Sequence, residues 1–220
     1  ATPVPTAAAA SVVFLNGPIL TMDPDRPRAE ALATRGERIL AVGTVAEVMA
    51  AAGADAQVID LHGHALLPGF IDSHAHRIGD RTLAGYATAE EAIQNAIELG
   101  WTSLHELFVM DTRLDELRAL DRAGRLRVRV AAYLPLKFQF NDAGDWYQAY
   151  QPGQTFSPYL QVAGVKITLD QEWGETTFMT PDQLNAKVLE AHSLGWQIGL
   201  IENRRYLGGA HPFTQPADNI

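Results

Sequence analysis

A chain of 220 residues with 47% hydrophobic and 20% charged residues has an ordinary globular composition, and it is long enough to bury a substantial core in one large domain or two small ones. A formal net charge of −9 offers no basic stripe to neutralise phosphates, which argues against a nucleic-acid partner, and no apolar run approaches the ~20 residues of a membrane span. There is no cysteine, which excludes disulfides and thiolate zinc sites and leaves nitrogen and oxygen donors for any metal.

Ala1 to Ala10 is a Pro/Thr/Ala tract with nothing to bury, expected to be a flexible lead-in. It lacks the basic start and apolar core of a signal peptide, but such tracts also follow a removed export signal, so cytoplasmic and exported locations both stay open. Residues 11–67 read as a small β-rich domain. Val12-Val13-Phe14-Leu15 and Ile19-Leu20-Thr21 flank the turn Asn16-Gly17-Pro18, while Ala31-Leu32-Ala33 and Ile39-Leu40-Ala41-Val42 flank the hairpin signal Arg35-Gly36-Glu37. Thr44 to Ala52 predicts a helix with Thr44 and Glu47 as a capping box, and Val58-Ile59-Asp60-Leu61 a further strand. His62-Gly63-His64 reads as a turn that throws its imidazoles apart, so both are expected to be structural or exposed.

Leu67-Pro68-Gly69-Phe70-Ile71-Asp72-Ser73-His74-Ala75-His76 carries the strongest chemical signal. A Pro-Gly break launches a short apolar strand that ends in two histidines one residue apart. Strand side chains alternate, so Phe70, Asp72, His74 and His76 share a face, and imidazoles roughly 7 Å apart at the backbone lean onto one metal ion. Asp72 is placed to orient a ligand ring through its second nitrogen. The plain alternative is a pair of surface histidines at a strand end. The preceding acidic residue and the loss of apolar character at the pair favour the metal site.

From Pro68 strands and helices alternate. Thr88 to Leu99 predicts a helix with Thr88 and Glu91 as a capping box, Ile93, Ala96 and Ile97 inward and Gly100 closing it. Trp101 to Phe108 follows as a strand, then a helix from Asp111 or Thr112 to Ala123 with Leu114, Leu117 and Leu120 inward. Leu126 to Leu134 and Val162 to Leu169 are the third and fourth strands. Thr180, Pro181 and Gln183 open a helix ending at Gly195, and Trp196 to Ile201 is the fifth strand. This order indicates a parallel α/β sheet. About five strands in the roughly 150 residues after Pro68 fall short of the ~250 residues of a closed barrel.

In Gly164-Val165-Lys166-Ile167-Thr168-Leu169-Asp170, Val165, Ile167 and Leu169 share one face and Gly164, Lys166, Thr168 and Asp170 the other. A lysine inside a barrel is costly unless paired or chemically modified; the residues alone favour one that snorkels to solvent or pairs with Asp170. His105 and Glu106 face opposite sides of their strand and cannot chelate together, so a structural or substrate-facing role is expected. His192 suits a solvated helix face. The aromatic segment from Lys137 to Tyr159, irregular by sequence, reads equally as a substrate wall or lid and as a cluster covering the barrel rim.

The Pro68–His76 stretch resembles the first barrel strand of the metal-dependent amidohydrolase superfamily, typically Pro-Gly-Phe-Ile-Asp-x-His-x-His, and is most similar to the N-substituted formamide deformylase-like branch. The resemblance covers the upstream small domain and pieces as far as Gln197. It implies an α/β fold class, a partial (β/α)8 TIM-type barrel over 68–220 preceded by a small β-sandwich domain over 11–67. It further implies His74 and His76 as ligands of one or two divalent ions, zinc being expected, and Lys166 carbamylated by carbon dioxide as a bridge. The implied activity is attack of a metal-bound hydroxide on a small-molecule amide or formamide-like carbonyl.

Departures from the pattern come late. The family's strand-five histidine is expected where Ile201 stands, and its strand-six histidine and strand-eight general-base aspartate have no counterpart, so no catalytic base is assigned. His211 follows in a segment without a strand pattern. The expectation is an N-terminal portion or a product with a frame change near Ile201. The alternative function is therefore a non-catalytic, truncated protein that self-associates through an unpaired sheet edge.

Overall fold

The computed structural model describes residues 10–79, 81, 84–138, 141–142, 146–168 and 179–201; Asp170, His211 and the expected lead-in apart from Ala10 lie outside them. The chain divides into two compact units, Ala1–Pro68 and Gly69–Ile220.

The first unit holds β1 (Ser11–Leu15), β2 (Ile19–Leu20), β3 (Arg28–Ala29), β4 (Ala31–Arg35), β5 (Arg38–Gly43), α1 (Val45–Ala52) and β6 (Gln57–Asp60). Four strands form a sheet in the order β5-β4-β1-β6, with β1 antiparallel to β4 and parallel to β6, while β2 and β3 make a separate two-stranded sheet. Alternation in β1 and β4 turns Val13, Ala31 and Ala33 inward, where they pack with Val48 and Ala52 of α1. The predicted capping box at Thr44 and Glu47 is formed in both directions.

The second unit runs β7 (Phe70–Ala75), α2 (Ala89–Glu98), β8 (Trp101–Glu106), α3 (Asp111–Arg122), β9 (Arg129–Phe138), β10 (Asn141–Asp142), β11 (Thr155–Ser157), β12 (Leu160–Thr168), α4 (Pro181–Ser193) and β13 (Gln197–Ile201). Strands β7, β8, β9, β12 and β13 are parallel neighbours in that order, with β10 antiparallel to β9 and β11 to β12. The fold is α/β, a curled parallel sheet that makes a partial TIM-type barrel. One face of the sheet turns Val130, Ala132, Leu134, Val165 and Ile167 toward Ile93, Ala96, Leu114, Leu117 and Leu184 of the helices.

Several boundaries differ from expectation. At α2, Thr88 caps the amide of Glu91, but Glu91 returns to Ala87 N, one residue earlier, so the box is half made. The third strand begins at Arg129 and runs to Phe138, because Leu126 and Val128 pack into the core before the ladder starts. The segment 137–159 contains β10, a 3-10 turn at Trp146–Ala149 and β11. Within it, Tyr147 is buried in the main core edge-on to Trp196, and Tyr150 and Phe156 pack against the same core.

The predicted start of α4 is formed throughout: Thr180 Oγ1 accepts from Gln183 N at 3.3 Å, Gln183 Oε1 accepts from Thr180 N at 2.8 Å, and Pro181 opens the first turn. Thr180→Ala is expected to cost about 1 kcal/mol, read as a lowered urea midpoint with unchanged slope.

Candidate metal centre

His74 and His76 stand at the end of β7 with their Nε2 atoms 3.2 Å apart. A local irregularity lies beside them. Asp72 and Ala75 lie opposite Leu104 and Glu106, so three steps on β7 match two on β8, the count of a β-bulge, which re-aims side chains beside it. Ala75 is buried in the helix-side core while the two imidazoles, on either side of it in sequence, converge. Asp72 does not meet a ring nitrogen: its Oδ1 accepts from the backbone N of His74 at 3.1 Å. A two-residue spacing favours this local turn-like contact over a longer reach.

Lys166 joins them from β12, with Nζ 3.1 Å from His76 Nε2. Strands β12 and β7 are separated by β9 and β8, three spacings or about 14 Å in a flat sheet, so curvature brings the side-chain tips together on the concave face. Leu169 and Asp170, the end of the predicted strand, lie outside the described residues. Beneath Lys166, the Tyr133 ring stacks with His105 at 6.1 Å between centroids and lies against Gly164 and Gly199, positions where a Cβ would meet it.

Burial, the neighbouring Lys166 and His74 push His76 down to about 4, Asp72 opposing them; His74 is lowered by burial and then Lys166. Both imidazoles are therefore neutral at neutral pH. An ammonium only donates, so His76 Nε2 is the acceptor and His74 Nε2 carries the proton between the rings, an assignment made from the donors. In the metal-free chain the neutral form of His76 is favoured by folding. Its contribution is fully present above the unfolded value of 6.5 and is lost as pH falls from there toward 4. Urea midpoints measured across that window should drop more steeply for the wild type than for His76→Ala.

Glu106, for which the sequence suggested only a structural or substrate-facing role, is fully buried. Its Oε1 accepts from Arg77 N at 3.1 Å and Ile78 N at 3.0 Å, and its Oε2 from Gly79 N at 3.0 Å. Burial raises its pKa and these three amides pull it back. In the sequence it is simply the acid that closes the mixed strand Trp101–Glu106. Arg77 itself turns to the helix side, stacked 3.7 Å over Trp101 and bonded to Tyr86 and Asn95. His62 and His64 are exposed beside Asp60 and the Leu61 carbonyl, and His192 is exposed on α4.

With their Nε2 atoms 3.2 Å apart, the two rings would be close enough to hold one divalent ion together once His74 no longer carries its proton on Nε2. The neutral imidazole pair therefore fits part of a divalent ion's shell. Among the described residues no group of three or more His, Asp or Glu side chains gathers to hold a metal.

No family model matches the chain. The N-substituted formamide deformylase of Arthrobacter pascens is 42% identical over 65 residues, 30% of this chain and 12% of that relative. The chain spans only 12% to 19% of the length of the curated relatives it matches. An uncharacterized metal-dependent hydrolase from Pyrococcus furiosus has a similar structure, with TM-score 0.69 and 16% identity over 87% of this chain and 67% of that one. An enamidase described as a member of the amidohydrolase superfamily gives TM-score 0.55 and 21% identity over 90% of this chain and 52% of its own. At these identities the structures speak for the fold, and the sequence relative for the kinship. The β7 sequence, the fold and the sequence relatives together support membership of the amidohydrolase superfamily.

Proposed function

We propose that this chain contributes to a metal-dependent hydrolase acting on a carbon–nitrogen bond of a small amide or formamide-like substrate. The observation that carries the reading is the convergence of His74, His76 and Lys166 on the concave side of the sheet. A bound divalent ion there supplies Lewis acidity, lowering the pKa of water toward ~7 and polarising a carbonyl. His74 and His76 present neutral nitrogen donors once the proton between them moves to a ring's Nδ1. The ammonium of Lys166 opposes a cation at 3.1 Å from His76; as a neutral amine it adds to carbon dioxide with loss of one proton, and the resulting carbamate offers anionic oxygens instead. A formamide substrate is drawn from the likeness to the deformylase.

Ile201 favours a second reading. It pairs with Thr168 at the end of β13 and has no donor atom, so in this reading the chain binds metal without turnover. The metal-loaded chain, assayed on N-formyl and N-acyl amides beside His74→Ala, decides between them. Metal-dependent hydrolysis abolished by His74→Ala supports the enzyme, whereas stoichiometric metal without hydrolysis supports the second reading. Absence of metal binding overturns both.

A further inference from the structure

The hydrogen-bond ladder between β7 and β8 ends one residue before the second histidine. Leu107 N donates to Ala75 O at 3.0 Å, and Ala75 is the last residue of β7 in register with β8. His76 thus lies beyond the sheet's own support. The backbone just after His76 is held instead by a side chain: the amides of Arg77, Ile78 and Gly79 all donate to Glu106, at the end of β8. Three successive N–H groups converging on one anionic site form a nest, here closed around an internal carboxyl.

We infer that Glu106 is a positioning residue for His76. The Arg77 amide belongs to the peptide plane that begins at the His76 carbonyl, so a bond from it to Glu106 fixes ψ of His76. The next two amides hold that plane's continuation, and Gly79 closes the loop from the other side. A Cβ at Gly79 would sit 2.1 Å from the Phe108 carbonyl oxygen and 3.3 Å from Glu106 Oε2, so only glycine fits. Glu106 is itself immobile, with no exposed surface and a backbone inside the ladder between β7 and β9. The chain of constraint runs from β8 through the carboxyl to the 77–79 amides, then to the His76 backbone and ring. A glutamine of the same shape cannot replace it, because its amide NH2 would face one of the donors and leave that N–H unsatisfied.

The consequence for ion binding rests on the metal-centre reading of His74 and His76, whereas the positioning itself is measured without metal. In the 220-residue chain Glu106→Gln is expected to keep its far-UV spectrum and to lose on the order of tenfold or more of the hydrogen-exchange protection at Arg77, Ile78 and Gly79. The nuclear Overhauser contact between the His74 and His76 rings weakens with it. Cobalt affinity falls about 10–100-fold, the loss common when support behind a metal ligand is removed. Glu106→Asp keeps the carboxyl on a shorter stem and serves where the glutamine variant does not fold; intermediate losses in the same three readouts are expected. Faster amide exchange with an unchanged ring contact and cobalt affinity would make Glu106 merely structural and overturn the inference. A wild type that binds no cobalt, with the ring contact still lost on Glu106→Gln, would overturn the metal reading and leave the positioning role standing.

Discussion

His76→Ala should lower the affinity of the chain for zinc or cobalt by at least about a hundredfold, while His62→Ala leaves it unchanged. The contrast tests geometry, because both residues belong to a His-x-His pair. Around Gly63 the backbone turns, with His62 at φ 48° and Gly63 at 82°, and the two rings bond separately to Asp60 and to the Leu61 carbonyl. At β7 the rings meet nitrogen to nitrogen at 3.2 Å. Removing one of two convergent donors abolishes chelation, an effect at or above the 10–100-fold seen for residues that only support a ligand. Calorimetric titration of both variants at neutral pH, with folding checked by circular dichroism, gives the result. Equal affinities would dissociate ion binding from the β7 pair.

Gly164→Ala should destabilise the second unit by about 3 kcal/mol, at the upper end of what inserting one methyl into a packed site costs. Its ideal Cβ would stand 2.4 Å from the carbonyl oxygen of Gln197 and 2.6 Å from Tyr133 Cε1. The first of these is backbone, held in the ladder where Gly164 pairs with Gln197, so it yields only if β12 and β13 separate. The second is a ring wedged between Gly164 and Gly199 and stacked on His105. A lowered urea midpoint is expected, accompanied by a shift of the Tyr133 ring resonances. A change of less than about half a kcal/mol, the scatter of ordinary surface substitutions, would mean that the two strands are looser than their register indicates.

The parts of this architecture written in short stretches were legible in the sequence. The reciprocal caps at Thr44 and Thr180 need only the residue three places on, and the shared face of His74 and His76 needs only period two. Period two also gave the face that Lys166 shares with Gly164 and Thr168, but not its 3.1 Å approach to His76, since that depends on how far the sheet curls across two intervening strands. The bulge in β7 depends on the register of its partner, which a single strand does not encode. Glu106 was hidden more deeply, because its partners are backbone amides 27 to 29 residues away that have no side-chain signature. Asp72 misled because a local backbone contact outcompeted the imidazole that its spacing suggested.

Lys166 and His76 meet across 90 positions of sequence. Bringing such distant residues together carries a chain-closure entropy that local turns and helices do not, and parallel strands with crossovers can pair only after that cost is met. Helices α2 and α3 with β8 can form early from neighbouring residues, but the histidine–lysine cluster exists only after β12 has docked beside β9. During synthesis the cluster therefore appears only after the helices and β8, and an ion that requires all three side chains reports the docking of β12 and cannot seed it. Stopped-flow refolding followed by cobalt absorbance should accordingly lag the recovery of helical signal.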